Sequence, residues 1–223
     1  MIVRISIDIL RTFVFNCWMS KGQQTKAAIL DSAIALASQT GLQGLTIGKL
    51  ADRTGLSKSG LFAHFGSKEE LQLGVVQASR QLFANIVFLP ALREPAGLPR
   101  LRAMVTNFIN WPARAKLPGG CVMVAAAYEF DDQPGALKDL VAQSLRELRK
   151  TIARSVRQAV EQGHLDADTD ADQLAFEIFG VYVAAQLDAR LFGDPKAWDR
   201  GLDAFESLIS RHGAPAATRP CSI

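Results

Sequence analysis

Apolar residues recur every three or four positions along most of the chain, which is the spacing of amphipathic α-helices. The clearest case runs from residue 25 to residue 40, where Ile29, Ala33 and Ile34 follow this spacing and Gly41 ends the pattern. No segment alternates apolar and polar residues as a half-buried strand would. The pattern therefore predicts an all-α chain of about nine helices.

Two short helices follow the first and are joined by a glycine turn. Thr46 can begin the second helix, which Gly55 ends after about two turns. Ser57 can begin the third, with Leu61 and Phe65 on its inward side. Helices this short must pack against the first helix to be stable. The arrangement matches a helix-turn-helix that binds DNA, and a plain three-helix subdomain is the alternative interpretation.

The remaining chain continues the helical pattern. Ser67 can cap a long fourth helix that Pro90 is predicted to end. Five further helical segments are separated by turns rich in Pro, Gly or Asp: 98–111, 121–130, 137–162, 171–192 and 198–210. We predict four sections of chain: an upstream extension or disordered arm at 1–18, a helix-turn-helix domain at 19–66, a helical regulatory and dimerisation domain at 67–212, and a flexible tail at 213–223.

The distribution of charge supports a polyanion-binding front segment. The net charge of +3 over 223 residues is small. Between Met19 and Lys68, however, six basic side chains stand against two acidic ones, whereas the chain from Glu69 onward has 17 basic and 19 acidic residues. A basic module followed by a near-neutral body suits binding to nucleic acid, and a basic surface without a partner is the alternative.

The composition argues against metal, disulfide and catalytic chemistry. The three cysteines show no C-x-x-C spacing, and the three histidines lie far apart in the sequence. No nucleophile–base pair or phosphate loop is evident, so we predict no bound metal, no cofactor, no enzyme activity and a cytoplasmic location. Cys121, near a predicted helix start, could be a redox sensor, but we interpret it as a small buried apolar residue.

The first eighteen residues are apolar and β-branched, interrupted by Arg4, Asp8 and Arg11. This segment is short for a membrane span and lacks an A-x-A-like cleavage site. Met19 is followed by a polar stretch that leads into the first helix, so we hypothesise that it is the true initiator. A genuine N-terminal arm, or one that associates with a membrane, is the alternative.

The string LTIGKLADRTGLSKSGLFAHFGSKEEL, Leu45 to Leu71, closely resembles the DNA-binding domain of the tetracycline-repressor (TetR) family. The shared features are an apolar second helix, a Gly turn, a Ser-x-x-x-Leu-aromatic-x-His-Phe third helix and a Ser-Lys-Glu entry to the fourth. The resemblance extends to the first helix. It implies a three-helix DNA reader, a helical C-terminal domain that binds a small-molecule inducer, and, most commonly, repression.

The resemblance also assigns roles to eight residues of the reader. Lys58 is the best candidate for donating to guanine acceptors at the start of the recognition helix. Thr46, His64 and Lys68 are expected to face phosphate groups. Phe62 stands where the family usually has Tyr, whose hydroxyl commonly donates to a phosphate. The complete set of predicted DNA-binding residues is Thr46, Ser57, Lys58, Ser59, Gly60, Phe62, His64 and Lys68.

The body is expected to hold both the ligand cavity and the dimer interface. By the resemblance, helices at 171–192 and 198–210 pair across a two-fold axis, so the DNA target is a palindrome with half-site centres about 34–36 Å apart. Large side chains at helical spacing more often form core than pocket. Eight of them are nevertheless candidate cavity residues: Met104, Phe108, Trp111, Met123, Tyr128, Phe176, Phe179 and Tyr182. A helical enzyme or small-molecule-binding protein without specific DNA contact is the second functional hypothesis.

We predict that Phe62→Tyr tightens DNA binding without changing the preferred site. The added hydroxyl restores one phosphate contact, typically worth about 1 kcal/mol, and phosphate contacts carry no sequence information directly. The measurement is the dissociation constant for operator and for scrambled DNA. Unchanged or weaker affinity would contradict the assigned phosphate-facing geometry.

Overall fold

The computed structural model describes residues 20–213, and in this range the protein is all-α. It has nine helices of eight or more residues: α1 Lys21–Thr40, α2 Ile47–Thr54, α3 Lys58–Phe65, α4 Lys68–Phe83, α5 Leu98–Ile109, α6 Val122–Phe130, α7 Ala136–Glu161, α8 Ala171–Leu191 and α9 Ala197–Arg211. Within the same residues, the β structure amounts to one isolated bridge between Leu165 and Gly213. The predicted fold class is confirmed. The predictions for residues 1–18, for Met19 and for the tail beyond 213 lie outside the described residues.

Side-chain caps set the ends of the front helices. Ser20 and Gln23 form a capping box in which each side chain accepts from the other's backbone N–H, so α1 begins four residues before the predicted Thr25. Thr46 caps α2 by accepting from the backbone N–H of Lys49. Gly55 ends α2 with a φ of 69°, in the left-handed region that glycine adopts without steric cost.

The three front helices, α1, α2 and α3, form the unit called the reader. They share one small core with the start of α4. Ile29 from α1, Leu50 from α2, Leu61 and Phe65 from α3 and Leu71 from α4 are all buried. Each of the short helices α2 and α3 buries only two residues of its own, so their stability depends on this shared core.

Helix α4 ends at Phe83, but the helical backbone continues past Pro90, where the sequence predicts the end of the helix. After Phe83 the chain makes a π-helical turn, Ala84–Phe88, in which the N–H of Leu89 donates to the carbonyl of Ala84, five residues back. A last helical turn, Leu89–Ala91, then includes Pro90, and the N–H of Leu92 still reaches the carbonyl of Phe88 at 3.1 Å. Pro90 removes one donor, but the bonds around it continue the helix.

The remaining helices, α4 to α9, form the body of the protein. They are arranged around α7, which contacts α4, α5, α6 and α8. Helix α8 packs along α9. The largest fully buried side chains of the body include Trp111, Tyr182, Phe108 and Phe205. Helix α6 lies between the rest of the body and the reader, because it contacts α7 on one side and α1 and α4 on the other.

A glycine pair joins the reader to the body. The N–H of Gly119 donates to the hydroxyl of Ser38 at 3.1 Å, and the N–H of Gly120 donates to the carbonyl of Ser38 at 2.9 Å. A Cβ atom on Gly119 would overlap with that carbonyl group, and one on Gly120 would overlap with the side-chain amide of Gln186. The close approach of residue 119 to Ser38 is therefore possible only without a side chain at that position.

We expect Gly119→Ala to lower the free energy of unfolding by about 3 kcal/mol, at the upper end for overpacking, because the new methyl meets backbone that cannot move aside. Urea denaturation measures the change. Gly22→Ala is the matched control, since a Cβ there meets only the Ser20 hydroxyl oxygen, at 4.0 Å, and should cost nothing. Equal stability of both variants would contradict the close contact at Ser38.

Candidate nucleic-acid interface and ligand cavity

The start of α3 presents polar side chains to solvent. Ser57, Lys58 and Ser59 are exposed, and Gly60 is partly exposed. The Ser57 hydroxyl accepts from the backbone N–H of Gly60 at 3.0 Å and lies 3.1 Å from the Ser59 hydroxyl. Ser57 is thus engaged in capping the helix, which leaves Lys58 and Ser59 as the more available donors.

The aliphatic stem of Lys58 passes over Gly48 of α2. A Cβ atom on Gly48 would lie 3.8 Å from Lys58 Cε, which is ordinary van der Waals contact. A methyl group would therefore fit at this position, and only a longer side chain could press on Lys58. Among the described residues Lys58 has no carboxylate partner, and its charge faces solvent.

The residues predicted to face phosphate are also accessible, although Thr46, His64 and Lys68 each have contacts within the protein. Thr46 is exposed at the start of α2, and Phe62 is 48% exposed on α3. His64 is partly exposed beside the ring of Phe65. The Lys68 ammonium donates to the carbonyl of Gln43 at 2.9 Å, which holds it against the α1–α2 loop. None of the eight predicted residues is buried, and their roles in DNA binding stay predictions.

A cavity of about 440 Å³ lies in the body between α4, α5, α6, α7 and α8. Its lining is mainly apolar and aromatic, and pockets of this size suit small organic molecules. The residues that line it are Gln77, Arg80, Gln81, Phe83, Ala84, Phe88, Phe108, Cys121, Met123, Val124, Ser144, Leu145, Glu147, Leu148, Thr151, Phe179 and Tyr182.

Four of the eight candidate cavity residues line this space, namely Phe108, Met123, Phe179 and Tyr182. Met104 and Trp111 are instead buried in the core outside the lining. Tyr128 is 69% exposed and Phe176 is 54% exposed, because they lie on the outward sides of α6 and α8.

Phe83, Phe88, Val124 and Leu148 also line the cavity but were absent from the predicted set. The π-helical turn accounts for Phe88. Residues four apart share a face in an α-helix, whereas i→i+5 bonding brings residue i+5 under residue i. Phe83 and Phe88 accordingly meet edge to face, with ring centroids 5.2 Å apart, and both line the cavity.

One end of the cavity has a small buried polar cluster. The indole N–H of Trp111 donates to the Tyr182 hydroxyl at 3.0 Å, and that hydroxyl donates to the Gln186 carbonyl oxygen at 3.4 Å. Burial raises the pKa of the Cys121 thiol and that of the Tyr182 hydroxyl. Both groups therefore stay protonated at neutral pH, which is unfavourable for a redox sensor that acts through a thiolate.

Helix α6 connects the cavity to the reader. Met123 and Val124 near its start line the cavity. Near its end, the carboxylate of Glu129 accepts from the backbone N–H of Gln43 at 2.9 Å, and the backbone carbonyl of Glu129 accepts from the Gln43 side chain at 3.1 Å. Gln43 lies in the α1–α2 loop, so both the reader and the cavity contact the same helix.

Between residues 20 and 213, no group of three or more His, Cys, Asp or Glu side chains could hold a metal ion. No helix in that range is long and apolar enough to cross a membrane.

Two family models match the chain, one over the reader and one over the body. Residues 29–75 match the model described as bacterial regulatory proteins, tetR family. Residues 97–205 match the model described as tetracyclin repressor-like, C-terminal domain. Together they contain the helix-turn-helix and most of the helices around the cavity.

Individual proteins are similar to this chain over most of its length. The HTH-type transcriptional regulator TtgR of Pseudomonas putida is 23% identical over 196 residues, which cover 82% of this chain and 92% of the relative. A TetR transcriptional regulator from Chloroflexus aurantiacus has a TM-score of 0.77 at 27% identity, covering 89% of this chain and 100% of that one. AibR in complex with isovaleryl coenzyme A and operator DNA has a TM-score of 0.64 at 19% identity, covering 86% and 99%, a likeness of fold alone.

Proposed function

Because this chain belongs to the TetR family of bacterial regulatory proteins, we propose that it is a homodimeric, ligand-responsive repressor that binds a palindromic DNA operator. It is a DNA-binding transcriptional regulator, and we place its action in the cytoplasm, with the chromosome. The observation that carries the ligand response is that α6 contributes residues to the cavity and holds the α1–α2 loop of the reader.

The proposed DNA contacts follow from the accessible groups of the reader. Lys58 reads a base in the major groove, because its charge is unpaired and Gly48 leaves its stem free. Thr46, His64 and Lys68 bind phosphates, which position the recognition helix without reading sequence. Ser57 supports this geometry by capping α3.

An exposed apolar stripe on α8 supports the proposed dimer. Phe176, Gly180, Ala184, Leu187 and Leu191 follow each other along the outward face of the helix. Phe176, Leu187 and Leu191 are 54%, 50% and 68% exposed, and a Cβ on Gly180 would meet nothing within 4 Å. Such a stripe at helical spacing suits the same stripe of a second copy related by a two-fold axis. Helix α9 exposes mostly polar and small residues, so α8 contributes the apolar part of this interface.

The proposed response to ligand uses the shared contacts of α6. A molecule in the cavity presses on Met123 and Val124, and α6 cannot shift without moving Gln43 through Glu129. In a dimer, such a shift changes the separation of the two recognition helices. Ligand and operator then oppose each other's binding through a coupling free energy.

We expect Lys58→Ala to weaken binding to the operator by about 1–3 kcal/mol and to relax the preference at one base position. The operator is a palindrome selected from a random DNA library by the unmodified protein, and affinity is measured over a range of salt concentrations. Lys150→Ala, an exposed lysine on α7, is the matched control and should bind as the unmodified protein does. Selection of no palindrome would overturn the proposed function.

We expect Leu187→Glu to yield monomers at micromolar concentration and to lose operator binding, since it places a charge at the centre of the apolar stripe. Light scattering measures the mass. Leu92→Glu is the control, because Leu92 is a similarly exposed leucine, 59% accessible, directly after the helical turn Leu89–Ala91 and outside α8. If the Leu187→Glu variant is still a dimer, the interface lies on another face of the protein.

A further inference from the structure

Five of the 17 residues that line the cavity are aromatic. Phe83, Phe88, Phe108, Phe179 and Tyr182 all contribute to its lining. Phe108 and Tyr182 are stacked with centroids 4.0 Å apart, and Phe83 meets Phe108 edge to face at 5.6 Å. Aromatic rings in these arrangements offer faces and edges to a further ring. The lining therefore favours a flat aromatic molecule over a flexible aliphatic one.

The charges of the lining are already neutralised. Arg80 and Glu147 form an ion pair with each other, and no other lining residue is charged. The two side chains of this pair are 35% and 48% exposed, so the pair lies on the solvent side of the lining. A charge placed deeper, among the aromatic rings, would be buried without a counter-ion, which is unfavourable. The cavity therefore favours an uncharged molecule.

The hydroxyl groups of the lining already donate hydrogen bonds to acceptors within the protein. Ser144 donates to the carbonyl of Leu140 at 2.5 Å, and Thr151 donates to the carbonyl of Glu147 at 2.8 Å. The Tyr182 hydroxyl donates to Gln186 at 3.4 Å. A hydroxyl has one proton and two lone pairs, so Ser144 and Thr151 can still accept hydrogen bonds. The Tyr182 hydroxyl also accepts from the Trp111 indole N–H, so at most one of its lone pairs is left. The amides of Gln77 and Gln81 can both donate and accept, and do not discriminate.

We propose that the cavity binds an uncharged aromatic molecule with a hydroxyl or N–H group that donates to Ser144, Thr151 or Tyr182. The inference rests on the proposed function of the cavity as the sensor site and specifies the chemical class of its ligand. A cavity of about 440 Å³ has room for a fused-ring system of this kind.

Four probes with the same naphthalene ring test the class. Calorimetry on the full chain should show saturable binding of 2-naphthol, one per protomer. We expect 2-methoxynaphthalene, which cannot donate, to bind about tenfold more weakly, the equivalent of one hydrogen bond. Anionic 2-naphthoate and cationic 2-naphthylmethylammonium should bind more weakly still. Equal or tighter binding of a charged probe, or of the methoxy probe, overturns the proposal.

Substitutions in the lining test whether 2-naphthol binds in this cavity. Leu148→Trp and Val124→Trp each fill it and should abolish 2-naphthol binding, whereas Leu92→Trp on the surface should not. Cooperative thermal unfolding confirms that each variant is folded, and either filling variant suffices. Retained binding in a folded filling variant overturns the assigned site.

A second set of variants identifies the acceptor. Ser144→Ala, Thr151→Val and Tyr182→Phe each remove one hydroxyl, and at least one should bring the affinity ratio of 2-naphthol to 2-methoxynaphthalene close to one. A ratio that survives in all three overturns the assignment of the donor contact. Operator binding is measured in parallel without probe. Intact operator binding with no 2-naphthol binding refutes the ligand class alone, whereas loss of operator recognition by the unmodified protein refutes the proposed function.

Discussion

Gly119 and Gly120 lie against the end of α1, and at Gly119 the backbone of Ser38 leaves no space for a side chain. Their two N–H groups bind the hydroxyl and carbonyl of Ser38, and α6 begins two residues later. At the far end of α6, Glu129 binds Gln43 of the α1–α2 loop. Helix α6 is therefore held to the reader near both ends by these short polar contacts.

The cavity occupies the space that this attachment leaves on the other side of α6. Met123 and Val124 face it, and Gly120 packs against Gln186, whose side chain accepts from the Tyr182 hydroxyl at the cavity end. An unbroken series of contacts thus runs from the cavity to the reader. Close-packed interiors transmit displacement because they contain few empty spaces to absorb it.

The reader shows a division of roles among neighbouring residues of α3. Ser57 uses its hydroxyl to cap the helix, while Lys58 lies over Gly48 with its charge in solvent. Phe62 is exposed but has no polar atom in its side chain. Helix capping and the proposed base contact therefore belong to adjacent residues.

Features that depend on residues close in sequence could be predicted. Thr46 caps α2 and Ser57 caps α3 through bonds to N–H groups three residues on, and Gly55 ends α2 in a left-handed conformation. The same local logic applies to Ser20 and Gln23, so the true start of α1 was readable although the apolar spacing pointed to a later one. The π-helical turn could not be predicted, because the local sequence does not reveal that Phe88 packs beside Phe83.

Which residues line the cavity could not be predicted from the sequence. Phe176 and Phe179 on α8 fit helical spacing equally well, yet one is exposed and the other lines the cavity. Arg80 and Glu147 form their ion pair across 67 positions of sequence. By itself the sequence determined the helices and the reader, because caps, glycine turns and apolar spacing act within a few residues. Only the tertiary structure decided the cavity, the Arg80–Glu147 ion pair in its lining and the contacts of Gly119 and Gly120 with α1. Each of these needs helices that are distant in the chain to pack together.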